Sequence, residues 1–287
     1  GNVGRYAWDA LKLSLDTESL RVDGYAAQRV SYDPHAFDSR HYDFDMWAVY
    51  AQFKRLPFDL DLFYTLKLDD HGTITGESGT ADHRRHTIGA YAGGNFSEKW
   101  DWRGTAAVQR GKYGKDDIDA YGYNIRFGHT LDAPWSPRLE AEFTYASGDS
   151  DPADGDHETW DNIFGSVDSM YGRMNLFSWK NLEDYQANLI VKPTRAVKLM
   201  LEYHFFRLAQ AEDAWYYCDG KAQRRDRTGA AGRTLGHEID LRAKWRMTDQ
   251  MELLGGYAHF FPGPYMEQTQ GGHSSADWAF VQMLYAF

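Results

Sequence analysis

The stretch "FDLDLFYTLKLDD" puts Phe58, Leu60, Leu62, Tyr64, Leu66 and Leu68 on one parity and Asp59, Asp61, Thr65, Lys67 and Asp69 on the other. An amphipathic helix cannot produce a strict period of two, so this is a long strand with one apolar and one charged face. "VKLMLEYHFF" repeats the pattern, setting Val197, Leu199, Leu201, Tyr203 and Phe205 against Lys198, Glu202 and His204. In "EIDLRAKWR", Ile239, Leu241, Ala243 and Trp245 oppose Glu238, Asp240, Arg242, Lys244 and Arg246. The terminal "FVQMLYAF" alternates in the same way, with Ala279, Val281, Met283, Tyr285 and Phe287 on one face, and predicts a strand reaching the last residue.

About thirteen such strands are predicted, near 7–16, 20–31, 43–55, 58–69, 83–95, 99–111, 117–130, 138–148, 183–193, 196–209, 235–247, 250–262 and 276–287. Tight links such as "DTES", "KRLP", "NFSEK", "KPTRA" and "MTDQ" take turns with long polar ones. Short turns at one end and long loops at the other are the asymmetry of an outer-membrane barrel, whose short turns are periplasmic.

No run approaches the roughly 20 consecutive apolar residues of a membrane helix. That excludes helical spanning only, because a barrel strand of about ten residues meets lipid at alternate positions. The chain is hydrophilic on average, yet it carries 19 Tyr, 16 Phe and 10 Trp. Rings with one polar atom are what the two headgroup belts of a membrane consume. A soluble β-sandwich or jelly roll would also alternate. Against it, the polar face carries a charge on nearly every strand, as a hydrated lumen would, and a closed barrel removes the edges that hydrocarbon cannot tolerate. The expected architecture is therefore all-β: a single transmembrane antiparallel β-barrel domain over residues 1–287, in a Gram-negative outer membrane with its C-terminus periplasmic. Thirteen alternating strands then put Gly1 on the extracellular side. A natural barrel starts in the periplasm, so an odd number of N-terminal strands is expected to be missing.

Several stretches in order, "YASGDSDPADGDHETWD", "NLFSWKNLEDYQANLIVKPT", "LEYHFFRLA", "DAWY" and "YAHFFPGPY", resemble the alginate-export family of outer-membrane proteins, and "NVGRYAWDALKLSLDTESLRVDGYAA" extends the resemblance to the start. The resemblance implies a monomeric eighteen-stranded barrel, of which this chain is the C-terminal portion, and a positive pathway for an acidic polysaccharide. It carries architecture more firmly than cargo.

A pore for an anionic polymer needs cations on the lumen wall. Strand parity offers Arg103, Arg126, Lys192, Lys198, Arg242, Lys244 and Arg246. The competing reading pairs them with Glu140, Glu142, Glu202, Glu238 and Asp240 across neighbouring strands. The net charge of -11 is concentrated between Ser147 and Asp184, where nine acidic residues stand against Arg173 and Lys180. There "DSDPADGD" gathers Asp149, Asp151, Asp154 and Asp156 around Gly155, a loose likeness to a calcium loop that departs from EF-hand spacing. The alternative is a solvated extracellular loop. The lone Cys218 allows no internal disulfide and reads as a loop bystander. His83, His86, His204, His237 and His259 show no ligand spacing, and His273 beside Ser274 and Ser275 lacks a nucleophile elbow.

These features predict a non-enzymatic channel with no cofactor beyond that candidate calcium. Its expected partners are outer-membrane lipid and lipopolysaccharide, an anionic polysaccharide or small anionic solute, and the periplasmic proteins an exporter requires; nucleic acid is not among them. The rival readings are an outer-membrane lipase or protease using His204, His259 and His273 at the rim, and an adhesin using the acidic loop.

Overall fold

The computed structural model describes residues 7–31, 35, 39–163 and 170–287. In chain order the strands are β1 (Ala7–Asp16), β2 (Leu20–Ser31), β3 (Ser39–Phe53), β4 (Asp59–Thr75), β5 (Thr80–Asn95), β6 (Trp100–Tyr113), β7 (Asp116–Thr130), β8 (Arg138–Ala146), β9 (Asp156–His157), β10 (Leu182–Val191), β11 (Val197–Arg207), β12 (Ala214–Tyr216), β13 (Ala222–Arg225), β14 (Thr234–Arg246), β15 (Met251–Pro262) and β16 (Ala276–Tyr285). One helical turn, α1 (Pro264–Gln268), follows β15. All thirteen strands read from alternation form, and they make one antiparallel sheet in the order β1-β2-β3-β4-β5-β6-β7-β8-β10-β11-β14-β15-β16. The short β9 adds to β7 as a fourteenth, parallel strand, while β12 and β13 form a separate hairpin. Among the described residues β1 and β16 each pair on one side only.

Three details depart from the sequence reading. The last strand ends at Tyr285, two residues before the terminus. Tight links also occur at the loop end, at 76–79 and 114–115, where β4, β5 and β6 run on beyond their alternating parts. The segments β9, β12, β13 and α1 are too short to carry a periodic signal.

Burial along the strands is inverted relative to a soluble protein. In β4 the buried residues are Asp61, Lys67 and Asp69, while Leu62 between them is 43% exposed. In β14 Glu238 and Asp240 are fully buried and Leu241 is 49% exposed. Outward-facing Leu62, Ile88, Val108, Ile125, Leu201 and Leu241 form an apolar band. Toward the short-turn end it meets Phe58, Phe96, Trp100, Trp135 and Trp245, with Trp100 stacked on His129 at 4.0 Å. Toward the other end it meets a run of rings across β7, β8, β10 and β11, in which Tyr121 stacks on Tyr145, and Phe143, Tyr185 and Phe205 follow in turn. An aliphatic band between two aromatic girdles is the outer surface of a membrane barrel.

Two apolar cores lie at the loop end. One gathers Tyr171, Phe177, Leu182, Phe206, Leu208, Leu235, Phe260 and Tyr265 from strand ends and loops. Cys218 belongs to it and is buried, so it is a core residue and not a loop bystander. The other packs Trp160 onto Ala107, Ile118, Ala120 and Ala146 on the inner face of β6, β7 and β8.

Candidate functional site

The inner face, with residues 147–163 and 170–181 beside it, makes up the candidate site. Asp151, Asp154 and Asp156 are exposed, as in a solvated loop, but the residues on either side of them are packed against the wall. Trp160 is 2% exposed and lies against Gly122, where an added Cβ would stand 3.0 Å from its ring. Trp179 donates from Nε1 to the Tyr145 carbonyl at 2.9 Å, and Asn181 donates from Nδ2 to the carbonyls of Gln210 and Ala214, both at 3.0 Å. Glu158 accepts from the Ser150 amide at 2.9 Å, and Asp161 is answered by the wall.

One end of the segment is fastened to the wall of β4, β5 and β6. The Asp161 carboxylate accepts from Lys67 Nζ at 2.9 Å and lies 3.9 Å from Arg85 Nε. Gln109 completes the joint, donating from Nε2 to the Asp161 carbonyl at 2.6 Å and accepting the Asp161 amide at 3.0 Å. Burial opposes ionisation of Asp161, but the fields of Lys67, Arg85 and Lys180 outweigh it and hold the carboxyl below its ordinary range.

The other end is fastened to β11 and β14 with the opposite sign. Arg173 donates from Nε and Nη2 to Glu202 at 3.2 and 3.3 Å, and Arg242 donates to the same carboxylate at 2.9 and 2.8 Å. The amides of Arg173 and Met174 donate to Asp240 at 3.2 Å and to Glu238 at 2.9 Å. Gly172 makes this approach possible: its φ is +77°, and a Cβ there would meet the Glu238 carboxylate at 2.5 Å. Beneath lies His204, 2% exposed, with Nδ1 2.9 Å from Asp184.

Six of the seven sequence-predicted lumen cations lie in strands on the inner parity, Lys192 follows one residue beyond β10, and the seven divide into two groups. Arg126 lies 3.8 Å from Glu142 and 3.9 Å from Glu140, Arg242 is bound to Glu202, and Lys244 Nζ is 2.6 Å from Glu252. Arg103, Lys192, Lys198 and Arg246 make no ion pair among the described residues. Register sets Arg103 opposite Arg126 and Lys198 opposite Lys244, so like charges face each other across strands toward the short-turn end. Sequence reasoning missed Lys67, Arg85, Gln109, Asp161 and Arg173 as a unit. The inner parity of Lys67 was visible in advance, but Asp161 and Arg173 lie outside the strands, and Lys67 and Asp161 are 94 residues apart.

The four aspartates proposed for calcium do not converge. Asp149 is 4% exposed, and its amide donates to Asp213 at 3.1 Å. Asp151 and Asp154 cap the local amides of Ala153 and Asp156. Among the described residues no group of three or more His, Cys, Asp or Glu has the arrangement of a metal site. Asp149 instead borders a cavity of about 640 Å³ at the loop end, with Glu77, Asp116, His157, Tyr216 and Arg225. Burial, reinforced by Glu77 and Asp213, pushes the Asp149 carboxyl up to about 7. A carboxyl raised in the folded state favours folding below its unfolded pKa, and that contribution is lost as pH rises through about 7. Proteolysis within 147–160, normalised to a peptide substrate at each pH, should therefore be faster at pH 8.5 than at pH 5. Asp149→Asn should abolish the difference; equal pH ratios in both proteins would refute the assignment.

The histidines do not form a catalytic group. His204 is on the inner face. His259 is on the outer face, bonded to Asp277 at 2.7 Å, and His273 lies in the exposed link after α1.

A model of the alginate-export family matches residues 1–280. No curated protein matches the chain. Two similar solved structures are the NanC porin in a rhombohedral crystal form and OmpT, an outer membrane protein of Vibrio cholerae. The NanC porin is 8% identical over 86% of this chain and 95% of its own, with a TM-score of 0.40. OmpT is 10% identical over 98% and 95%, with a TM-score of 0.34.

Proposed function

The chain belongs to the alginate-export family, and from that premise we propose that it is an outer-membrane channel passing an anionic polysaccharide of the alginate kind, or smaller anionic solutes, without chemistry on them. The observation that carries this reading is a group of cations at the short-turn end that make no ion pair among the described residues: Arg103, Lys198 and Arg246 on the inner face, and Lys192 in the link after β10. Fixed unpaired cations lower the barrier for carboxylates and raise it for cations. The paired group does not contribute in this way, because Glu140, Glu142, Glu202 and Glu252 already answer it. In this reading the short turns face the periplasm, where export proteins would deliver the polymer to a monomeric barrel. The loop end, with its acidic links and outward Tyr girdle, faces lipopolysaccharide.

Reversal potentials in planar bilayers under a salt gradient test it. The protein should be anion-selective, and uronate oligomers should block its current. Replacing Arg103, Lys192, Lys198 and Arg246 together by glutamine should move the reversal potential toward that of a cation-selective pore. Cation selectivity in the unaltered protein, with no uronate block, would leave a general porin instead.

A further inference from the structure

Lys67 and Arg85 are register partners on the inner faces of β4 and β5, so two positive side chains start about 5 Å apart. Such a pair is unfavourable without an anion. The anion here is Asp161, and its fit is incomplete. It reaches Lys67 Nζ at 2.9 Å but stands 3.9 Å from Arg85 Nε, beyond hydrogen-bonding distance. Arg85 is 1% exposed; its Nη1 is used by Gln109 at 2.7 Å, and its Nε has no acceptor. Lys180 adds a third cation within the field of Asp161, its Nζ resting 4.6 Å from the Tyr216 ring centre.

Asp161 cannot close the gap because its backbone is fixed at both polar groups by Gln109. A carboxylate free of the chain has no such restraint. It could lie across Lys67 Nζ and Arg85 Nε together, the two-point geometry that guanidinium and carboxylate favour.

We propose that Lys67 and Arg85 form a carboxylate-binding step on the lumen wall, that Asp161 occupies it as a tethered stand-in, and that a permeating carboxylate displaces it. The occupant is a uronate-type carboxylate, which deepens the function proposed above and rests on it. Displacement frees the Asp161 side chain, while Gln109 keeps its backbone on the wall. Each carboxylate along an acidic polymer can take the step in turn, and Asp161 returns when the polymer has passed. Because the tether keeps Asp161 at a high effective concentration, a free monomer competes poorly until that side chain is neutralised.

Sodium glucuronate is the probe, read by block of single-channel current and, independently of transport, by ligand-observed NMR on the protein in detergent micelles. Asp161→Asn should lower the half-saturating glucuronate concentration about tenfold in both readouts, the scale expected when an intramolecular competitor is removed. Lys67→Gln or Arg85→Gln in that background should reverse the gain. Asp161→Ser should reproduce the Asn result, and heat-modifiable migration on a gel verifies that each variant folds. Unchanged glucuronate affinity in folded Asp161→Asn and Asp161→Ser, or a gain indifferent to Lys67 and Arg85, overturns the inference. If the gain appears by NMR in a protein that passes no anionic current, this site stands and the transport reading falls. If anion selectivity holds while every Asp161 variant is silent, only this inference falls.

Discussion

Replacing Leu241 by arginine should destabilise the folded protein in lipid by about 2–4 kcal/mol, the cost of a cation on the lipid face of a barrel near the bilayer midplane. Leu241 lies near the middle of β14, is 49% exposed, and is flanked in register by Leu201 and Tyr257 on the same outer face. Its chain neighbour Arg242 is already an arginine. That residue points inward and binds Glu202 through two hydrogen bonds of 2.9 and 2.8 Å. Identical side chains on adjacent positions thus have opposite consequences, because a strand turns successive residues to opposite faces. Urea unfolding from vesicles measures the effect, with Leu241→Met as the size control. If Leu241→Arg were as stable as the control, and the protein stayed folded and monomeric in buffer without detergent, the outward face would not meet lipid and the membrane reading would be lost.

The sheet was legible because each lipid-facing strand repeats one constraint many times. Residues 7–16 and 20–31 coincide with β1 and β2. Where the constraint lapses, so does legibility. Alternation stops at Asp69, yet β4 continues to Thr75 after a register shift between Asp69 and Ile74. "DDHGTIT" lies in this extension, where neither face is required to be apolar. The same applies to the start of β5, where Thr80, Ala81 and Asp82 precede the predicted part.

The docking of Asp161 and Arg173 onto the wall was missed for a different reason. High acidity with a turn glycine describes both a solvated loop and one whose charges are answered by a wall, and composition does not distinguish them. Asp161 and Arg173 acquire meaning only when β4 and β5, and separately β11 and β14, present charges of the opposite sign. Parity placed Lys67, Glu202 and Asp240 on the inner face, so half of each contact was readable. The other half required the fold to bring together residues as far apart as Lys67 and Asp161. Trp160 illustrates a similar limit. A tryptophan in an acidic loop suggests a surface residue, yet Gly122, Ala120 and Ala146 leave room for it on the inner face.

The second large effect is expected at the Arg173 end of that segment. Asp184, Glu202, Glu238 and Asp240 crowd four carboxylates onto neighbouring inner positions of β10, β11 and β14. Against them stand Arg173, Arg242 and His204. Glu238 Oε2 and Asp240 Oδ1 are buried without a hydrogen-bond partner, so the cluster has no spare donors. Arg173→Glu removes one cation and adds a fifth carboxylate. Breaking a buried ion pair by removing one partner costs about 3–5 kcal/mol. The strands are held by their own ladders, whereas residues 172–174 are held to the wall by Arg173 and two backbone amides, so the segment should release first. Hydrogen exchange at the amides of residues 173 and 174 should accelerate by about two to three orders of magnitude, each decade being about 1.4 kcal/mol, while amides in β11 and β14 keep their protection. Open-channel conductance should rise in the same variant, because the freed segment no longer lies along the inner wall. Arg173→Gln, which keeps both amide contacts and adds no charge, should shift exchange less. Full protection at 173 and 174 in Arg173→Glu, with unaltered conductance, would mean that packing of Phe177 and Trp179 holds the segment and that the charges are incidental.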